Sequence, residues 1–356
     1  MSQREDSDRE HAAAGLHPVT GTAADILALL RAWDAAPEEP EPLVLRTSGS
    51  TGRPKSVVLS RAALRASAHA THDRLGGAGQ WVLNLPPTYV AGLQVLFRSV
   101  VAGTDPVLQT GSLAETVAEM TGPRRHVSLV PTQLRRLLDD PAELAALARF
   151  DAVLVGGGPL RPEVRATAET AGVRVVQTYG MAETCGGCVY DGHPLDGVEV
   201  RTGGDGQVLL RGSVLFDGYA DDPDRTATVM DDGWLRTQDL GRLDEDGRLW
   251  ILGRADSVVI SGGVNVPAEA VEAMIEQHPE VEDVVVVGVP DEEWGERVTA
   301  VVAARRPLGL AELRDLVEPR AWAPRALVAT DAMPHLPNGK VDRRAARALA
   351  DQQVRP

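Results

Sequence analysis

The sequence predicts an α/β protein, with a large N-terminal domain of mixed, mostly parallel sheets plus a β-rich subdomain, and a small α+β C-terminal domain. Three observations support this prediction. Strand-like and helix-like apolar runs alternate through the first half of the chain, which is typical of a parallel sheet covered by helices. The 35 glycines and 24 prolines greatly outnumber the aromatic residues, which indicates many turns between aliphatic elements. A chain of 356 residues also exceeds the usual size of one domain.

The N-terminal elements follow from apolar spacing. Residues 1–18 are charged and lack a periodic apolar face, so they are predicted to be a disordered tail. Helical spacing follows at 23–33, and two β-type runs flank a polar loop before a helix at 61–75. The β-type runs are 43–46 and 56–59, the later strand-like runs are 81–85, 127–130, 152–155 and 173–177, and the helix-like runs between them are 93–101, 132–138 and 162–171.

The pattern changes twice in the second half of the chain. Short strands with Asp-Gly turn signals at 205, 217, 232 and 246 predict the β-rich subdomain. Beyond residue 255 a helix, two strands and another helix predict the small domain. These last elements are placed at 267–277, 284–289, 299–303 and 311–317. The predicted domains are therefore 19–254 and 257–356, joined near 255–256.

Composition excludes several classes of protein. The 51 acidic and 36 basic residues give a net charge of -15, which opposes binding to nucleic acid or to anionic membranes. The longest aliphatic run, 284–289, is too short to span a bilayer. Two cysteines, Cys185 and Cys188, give no disulfide framework and fit a cytoplasmic protein; packing is favoured over a redox role for the pair.

A polar loop between the first two long strand-like runs has the composition of a polyphosphate site. Its glycines allow backbone N–H groups to approach oxygen atoms, its hydroxyls donate, and its lysine supplies a compact charge. A Walker A loop is disfavoured because Pro54 stands where that motif needs glycine and because a strand follows. A polar surface hairpin remains the alternative. The candidate residues are Thr47, Ser48, Gly49, Ser50, Thr51, Gly52 and Lys55.

Five segments in order resemble the adenylate-forming superfamily of acyl-CoA synthetases, peptide-synthetase adenylation domains and luciferases. They resemble its phosphate loop, adenine and magnesium motif, ribose motif, hinge and C-terminal lysine turn, at 47–55, 177–183, 233–239, 253–256 and 336–340. The resemblance extends over residues 43–344 and is that of a short form, since the stretch that usually precedes the phosphate loop is missing. Residues 128–134 and 183–192 are most similar to the o-succinylbenzoate–CoA ligases of menaquinone biosynthesis.

The resemblance implies an AMP-forming acid–thiol ligase that uses ATP, Mg²⁺ and coenzyme A. A carboxylate would attack the α-phosphate and release pyrophosphate, and the CoA thiol would then displace AMP. It also implies a hinge at Asp256, about which the small, mobile domain would turn to withdraw Lys340 and present a CoA-facing loop at Gly262 and Gly263.

Individual roles follow from the same resemblance. Lys340 would bridge the acid and the α-phosphate, and Glu183 would bind Mg²⁺. Tyr179, beside Gly180, would stack on adenine, while Asp239 and Arg254 would bind the ribose. Lysine usage adds an independent observation, because Lys55 and Lys340 are the only lysines in the chain. The run Gly156, Gly157 and Gly158 would let a flat ligand lie on the backbone, or else forms a tight turn.

Arg98 is the sharpest candidate for recognising the acid. It interrupts the apolar stretch 93–101, where an unpaired guanidinium would be costly to bury, so it would bind a second carboxylate. An arginine whose long stem reaches solvent is the alternative. Tyr89 and Ser128 are further pocket candidates.

Four positions depart from the family pattern: Ala182 replaces a hydroxyl residue, Tyr89 replaces histidine, Gln238 replaces glycine and Ser257 replaces an acidic residue. Either the missing hydroxyl at 182 reduces activity, or Thr184 or Ser50 compensates for it. The alternatives are a CoA ligase for another aryl or short-chain acid, and a catalytically silent protein that binds an acyl adenylate or nucleotide. The expected partners are the small molecules alone, and a homo-oligomer is left open.

Overall fold

A computed structural model describes residues 15–47, 55–335 and 341–354, apart from the side chains of residues 256 and 354. The chain divides into two compact units. The first comprises Met1–Arg201 and Leu209–Arg236, and the second comprises Thr202–Val208 and Thr237–Pro356. The second unit thus includes residues 237–254, which the sequence analysis assigned to the large domain. The hinge predicted near 255–256 describes a motion, so it stays a prediction.

The described elements alternate as the sequence predicts in the first half of the chain. The helices are α1 (Ala23–Asp34), α2 (Arg61–Arg74), α3 (Val90–Ala102), α4 (Leu113–Glu119), α5 (Pro131–Leu138), α6 (Pro141–Leu147), α7 (Pro162–Thr170), α8 (Pro223–Val229), α9 (Ala268–Ile275), α10 (Leu310–Asp315) and α11 (Arg343–Val354). The strands of the first half are β1 (His17–Pro18), β2 (Leu43–Thr47), β3 (Lys55–Leu59), β4 (Gln80–Leu83), β5 (Val107–Leu108), β6 (Arg125–Leu129), β7 (Ala152–Val155), β8 (Val175–Met181), β9 (Gly186–Tyr190) and β10 (His193–Pro194).

The second half contains the remaining strands and three short 3-10 turns. The strands are β11 (Val198–Thr202), β12 (Gln207–Gly212), β13 (Gly218–Tyr219), β14 (Met230–Asp231), β15 (Trp234–Leu243), β16 (Leu249–Arg254), β17 (Val258–Ser261), β18 (Val264–Pro267), β19 (Val281–Asp291), β20 (Gly295–Ala304) and β21 (Ala326–Ala329). The 3-10 turns are Ala182–Thr184, Ala255–Ser257 and Arg320–Trp322. None of the described helices is both long and apolar enough to cross a membrane.

A small sheet in the order β1-β2-β3-β13 holds both ends of the polar loop. β2 and β3 are antiparallel, and their last pair before the loop is Thr47 with Lys55. β1 pairs in parallel with β2, so residues 17 and 18 are ordered where the sequence predicted a disordered tail. The reason is backbone pairing, since the His17 N–H donates to the Pro42 carbonyl over 2.8 Å. Residues 1–14 of that tail lie outside the described residues.

The largest sheet contains seven strands in the order β10-β9-β8-β7-β6-β4-β5. The five strands from β8 to β5 are parallel, and β9 and β10 are antiparallel, so the prediction of a mixed, mostly parallel sheet is confirmed. Side chains alternate between its faces. Val82 and Val127 face the apolar cluster formed with α4 to α7. Their neighbours Trp81 and His126 therefore point to the opposite face, toward α2 and α3.

The β-rich region follows the Asp-Gly signals. β14 and β15 form a hairpin in which Asp231 pairs with Trp234. The two turn residues between them, Asp232 and Gly233, have φ of 47° and 75°. Positive φ at both positions is the type I′ turn that Asp-Gly favours. Further along, β15 pairs with β16 and brings Asp239 opposite Arg254.

The C-terminal unit is built on an antiparallel core with the order β18-β17-β20-β19, and β21 pairs in parallel with β20. β19 and β20 pair along almost their whole length. Valines on the two faces of β19 enter separate apolar clusters, one of which contains α9 and the other α11. The prediction of a small α+β domain is confirmed in this unit.

Candidate active site

The two ends of the predicted phosphate loop are held by the β2–β3 hairpin. Thr47 and Lys55 are paired across the strands, and β3 continues as a strand to Leu59. A Walker A loop opens into a helix, so this hairpin excludes that alternative. The intervening candidates, Ser48, Gly49, Ser50, Thr51 and Gly52, lie outside the described residues.

Glu183 lies at the centre of a small polar cluster in the N-terminal unit. Its Oε1 accepts a hydrogen bond from the Tyr219 hydroxyl over 2.7 Å and from the Lys55 ammonium over 3.4 Å. The Lys55 Nζ also lies 5.3 Å from the centroid of the Tyr219 ring. The side chains of Lys55 and Glu183 are only 16% and 10% exposed, so water screens their attraction weakly. The cluster joins the phosphate hairpin to the predicted magnesium ligand.

Backbone contacts fix this cluster in place. The Phe216 N–H donates to the Glu183 carbonyl over 2.9 Å, and Tyr219 is paired with Val57 of β3. Burial, and then the negative charge of Glu183, raise the pKa of Tyr219 well above its ordinary value. The phenol therefore stays protonated and donates to the carboxylate throughout the neutral range.

The Glu183 carboxylate fits a magnesium ligand. Both of the hydrogen bonds described above go to Oε1, and neither goes to Oε2. Carboxylate oxygens are ligands that Mg²⁺ prefers. Within the described ranges, no group of three or more His, Cys, Asp or Glu side chains could hold a metal ion on its own. A magnesium ion at Glu183 would thus need further ligands, such as phosphate oxygens.

The departure at Ala182 is not compensated by its neighbour. Ala182 and Thr184 are buried within the turn that carries Glu183. The Thr184 hydroxyl accepts from the Met181 N–H over 2.9 Å and lies 2.7 Å from the Gly186 carbonyl. It is occupied in holding the turn and is fully buried, so it is not available to a phosphate. Ser50, the other predicted substitute, lies outside the described residues.

Predicted ATP-binding residues collect at the carboxyl ends of the parallel strands, where α/β folds bind ligands. Gly156, Gly157 and Gly158 follow β7, and the second and third of them are exposed. Tyr179 and Gly180 end the neighbouring strand β8, where the side chains are half-buried. Ser128 lies near the end of β6 and is buried, 8% exposed.

Close backbone approach explains two glycines at this edge. A Cβ on Gly180 would lie 2.0 Å from the Gly186 carbonyl oxygen of β9, and one on Gly156 would lie 2.3 Å from the Thr178 hydroxyl. A Cβ on Gly158 would meet no atom closer than 3.9 Å. The first two glycines are required by packing, whereas Gly158 has room for a side chain.

The predicted ribose-binding residues meet in the C-terminal unit. An Arg254 Nη1 donates to Asp239 Oδ1 over 3.1 Å, and its Nη2 donates to the Gln238 side-chain oxygen over 2.8 Å. The Asp239 N–H donates to the Thr237 hydroxyl over 3.0 Å. Gln238, which departs from the family pattern, thus accepts a hydrogen bond from Arg254, and Arg254 in turn donates to the Asp239 carboxylate. The Arg254 side chain is 32% exposed, so a ligand hydroxyl can reach the pair.

Arg98 is buried on the inner face of α3, with 3% of its surface exposed. This excludes the alternative in which its stem reaches solvent. Its Nη2 donates to the Tyr190 hydroxyl over 3.3 Å, and its guanidinium carbon lies 5.1 Å from the centre of the Trp81 ring. No described acidic side chain forms an ion pair with Arg98, and its Nε has no hydrogen-bond partner among the described residues.

Two histidines adjoin this buried guanidinium. His72 and His126 are 6% and 0% exposed, and the His126 ring lies 4.8 Å from the Trp81 ring. Burial is the main cause that lowers the pKa of each to about 4, and the charge of Arg98 contributes in the same direction. Both are neutral at pH 7. The cluster of Arg98, His72, His126, Trp81 and Tyr190 therefore carries one positive charge without a described carboxylate.

The remaining predicted residues occupy different positions. Tyr89 precedes α3 and is half-buried. Gly262 and Gly263 form the two-residue turn between β17 and β18, are exposed, and have φ of 59° and 78°. Lys340 and the Asp256 side chain lie outside the described residues.

The cysteine pair has a packing role, as the sequence predicts. Cys185 and Cys188 are free and fully buried. Burial raises the pKa of both thiols, that of Cys188 to about 12. Neither thiol is a thiolate at neutral pH, so neither is reactive.

Sequence reasoning missed Tyr219 and Tyr190, which contact the candidate residues Glu183 and Arg98. Composition held a usable signal, since the chain contains only 4 tyrosines. The argument that singled out two scarce lysines applies equally to scarce phenols in an aliphatic protein.

Comparisons with known proteins identify a family. A family described as AMP-binding enzyme matches residues 31–220, and its C-terminal domain matches residues 270–340. The chain is 45% identical over 318 residues to a protein of Mycobacterium tuberculosis (strain ATCC 25618 / H37Rv) named probable 2-succinylbenzoate–CoA ligase, covering 85% of this chain and 83% of the relative.

Two solved structures are similar in fold. Both are o-succinylbenzoate CoA synthetase from Bacillus subtilis. The complex with ATP and magnesium ion aligns with a TM-score of 0.74 and 28% identity over 86% of this chain and 69% of that one. The complex with the acyl-adenylate intermediate aligns with a TM-score of 0.77 and 25% identity over 100% and 81%. The chain belongs to the AMP-binding enzyme family.

Proposed function

We propose that this chain is an ATP-dependent o-succinylbenzoate–CoA ligase that acts in menaquinone biosynthesis. In the first half-reaction a carboxylate oxygen attacks the α-phosphorus of ATP, and the bond to the β-phosphate oxygen breaks to release pyrophosphate. In the second, the CoA sulfur attacks the acyl carbon, the thiol proton is lost, and AMP leaves. We propose that the reaction takes place in the cytoplasm, since it uses ATP and CoA.

The buried cation at Arg98 is the observation that carries the choice of acid. A guanidinium without a carboxylate partner is costly to bury, so a ligand that supplies the missing charge would be bound strongly. o-Succinylbenzoate has two carboxylates, of which one is activated and one lies on the ring. The ring carboxylate matches Arg98 because a planar guanidinium can donate two parallel hydrogen bonds to it. Ser128 and Tyr89 are proposed to line the same acid site.

The ATP site is proposed to extend from the β2–β3 hairpin to the edge of the seven-stranded sheet. Thr47 and Lys55 hold the ends of the phosphate loop, and Glu183 would hold Mg²⁺ with the help of Tyr219. The metal would neutralise phosphate charge as it develops. The Lys55 ammonium contacts the same carboxylate. It is therefore placed to interact with the negative charge of a bound phosphate.

Further ligand-binding residues are proposed within the C-terminal unit. Asp239 and Arg254 are proposed to hold the ribose hydroxyls, since the carboxylate accepts and the guanidinium donates. Lys340 is proposed as the adenylation lysine. The hinge at Asp256 and the CoA-facing role of Gly262 and Gly263 are kept as proposals of the same kind.

The deciding experiment incubates the purified protein with ATP, Mg²⁺, CoA and o-succinylbenzoate, with benzoate and short fatty acids in parallel. Pyrophosphate and thioester are followed by mass spectrometry. We expect thioester from o-succinylbenzoate alone. Thioester from benzoate at a similar rate would contradict the assigned acid and leave a CoA ligase for another acid.

One observation favours a second candidate, a silent protein that binds an acyl adenylate. Ala182 removes a hydroxyl, and the Thr184 hydroxyl is buried within its own turn. Loss of one hydrogen-bond donor to the reacting phosphate can cost about 3 kcal/mol of transition-state stabilisation. Binding of the acyl adenylate without pyrophosphate release from any acid would establish this candidate.

A further inference from the structure

A buried ion pair in the C-terminal unit lies next in sequence to the segment that carries Lys340. Arg343, the first residue of α11, contacts both carboxylate oxygens of Glu272 on α9, at 2.8 and 3.0 Å. Glu272 is 9% exposed, and the guanidinium is reached only in part by solvent.

The pair is tied to a single residue of β19. The Val286 N–H donates to Glu272 Oε1 over 2.7 Å, and the Val286 carbonyl accepts from Arg343 Nη2 over 2.8 Å. β19 pairs only with β20 among the described strands, so Val286 presents these two groups at a free edge. The ion pair satisfies the two backbone groups that a further strand would otherwise bond. It thereby fixes α11 in one register against β19.

The residues that flank segment 336–340 are held as well. His335 and Val341 form an antiparallel bridge, and the Asp342 N–H donates to the Pro334 carbonyl over 2.8 Å. Asp342 Oδ1 accepts from the N–H groups of Arg344 and Ala345, which caps α11. The chain therefore enters α11 along a defined path.

Chain geometry links Arg343 to Lys340. Three residues span at most about 11 Å, so covalent geometry alone limits the distance between the Cα atoms of Lys340 and Arg343 to about that value. A buried ion pair adds little stability compared with apolar packing, but it can specify one arrangement. A catalytic group displaced by about 1 Å can lose a factor of about 100 in rate. A pair of this kind at the base of a reactive segment is suited to positioning.

We infer that Arg343 and Glu272 are positioning residues that set Lys340 for the adenylation half-reaction. This inference rests on the proposed function, because it takes Lys340 to act in that step. The pair touches no reacting atom in this role. Its loss affects the step that uses Lys340 and spares the thioester step that does not.

The test uses the full chain with Arg343→Lys and Glu272→Gln at pH 8.5, above the pKa of Glu272, where the ion pair of the wild type is formed. The first half-reaction is measured as pyrophosphate exchange into ATP with o-succinylbenzoate, and the second as thioester formed from synthetic acyl adenylate and CoA. We expect exchange to fall 10- to 100-fold through its maximal rate, with KM for ATP within threefold of wild type. Thioester formation from the adenylate stays within threefold.

The matched control is Arg347→Lys, one helical turn further along α11. Arg347 forms an exposed ion pair with Glu296 at 3.1 Å, so the same substitution should leave both half-reactions within twofold. Equal losses in the two half-reactions would indicate a structural role alone and overturn the inference. So would exchange that stays within threefold in both variants.

Lys340→Ala separates this inference from the proposed function. If Lys340→Ala loses exchange while Arg343→Lys and Glu272→Gln keep it, the positioning role is wrong and the ligase assignment stands. If the wild type shows no exchange with any acid, the proposed function itself fails. Thermal melting of each variant shows whether it is folded, and Arg343→Lys keeps the charge should Glu272→Gln prove unstable.

Discussion

At the level of single residues, the Glu183 carboxylate depends on Tyr219. The phenol donates over 2.7 Å and is kept protonated by burial, so the carboxylate is held in one orientation. Tyr219→Phe removes that donor and keeps the ring against which Lys55 lies. We expect the KM for MgATP to rise about 10-fold, since a hydrogen bond to a charged group contributes about 1.5 kcal/mol. Steady-state kinetics at varied MgATP measure this, and an unchanged KM would contradict it.

Substitution of Arg98 tests how the acid is recognised. Arg98→Met removes the charge and keeps a flexible apolar stem. We expect the KM for o-succinylbenzoate to rise roughly 10- to 100-fold, the range for losing hydrogen bonds to a charged group. The KM for MgATP serves as the control, because Arg98 is not among the proposed ATP-binding residues, and it should stay within twofold. A parallel rise in both KM values would show that Arg98 only supports the core.

Single residues also mark the limit of sequence reasoning. Lys55, Glu183, Asp239 and Arg254 could be selected from local motifs, and the structure brings them together in two pairs. Tyr219 and Arg343 belong to none of these motifs, and they lie 36 and 71 positions from the residues they contact. The spacing of residues within a motif carries no information about contacts between segments that are distant in the sequence.

Among the elements, β8 and β9 show how closely two strands of the large sheet approach each other. Gly180 faces the Gly186 carbonyl so closely that a Cβ would lie 2.0 Å from it, and backbone cannot yield as a side chain can. Gly180→Ala should lower the free energy of unfolding by about 3 kcal/mol, at the upper end for overpacking. Gly158→Ala is the control, because its Cβ has nothing nearer than 3.9 Å. Denaturant unfolding of the two variants measures this difference, and equal free energies of unfolding would contradict the predicted clash.

Elements were the part of the fold that the sequence predicts best. The helix expected at 61–75 is observed at Arg61–Arg74, and the strand expected at 152–155 has those bounds. Apolar periodicity reports directly on which face is buried, which explains this agreement. The short strand β1 escaped prediction because two residues are too few to show a period.

At the scale of the whole molecule, we expect the two units to respond oppositely to pH because of their buried ionisable groups. His72 and His126 have pKa values lowered to about 4, so the unfolded chain binds more protons below about pH 6.5. The stability they give the N-terminal unit is present above pH 6.5 and is lost as the pH falls toward 4. Burial raises the pKa of Glu272 to about 7, so the stability it gives the C-terminal unit is present below pH 4.5 and is lost as the pH rises through 7.

Hydrogen exchange in β6 and β19 follows each unit separately. Between pH 7.5 and 5 we expect protection to decrease in β6 and to increase in β19. His126→Phe should flatten the first trend by removing at most about 3 kcal/mol of linkage, and Glu272→Gln should flatten the second. Trends of the same sign in both strands would contradict the assignment of these groups.

The ion-paired Lys55 has a practical consequence for following this protein in solution. The chain has lysine at positions 55 and 340 alone, so a protease that cuts only after lysine has two cleavage sites. The Lys55 side chain is 16% exposed and lies in a paired strand, which protects the first site. Each cleavage releases a fragment of distinct mass, 1–55 or 341–356. The order in which the two fragments form, with and without nucleotide, would therefore report separately on the phosphate loop and on the segment that bears Lys340.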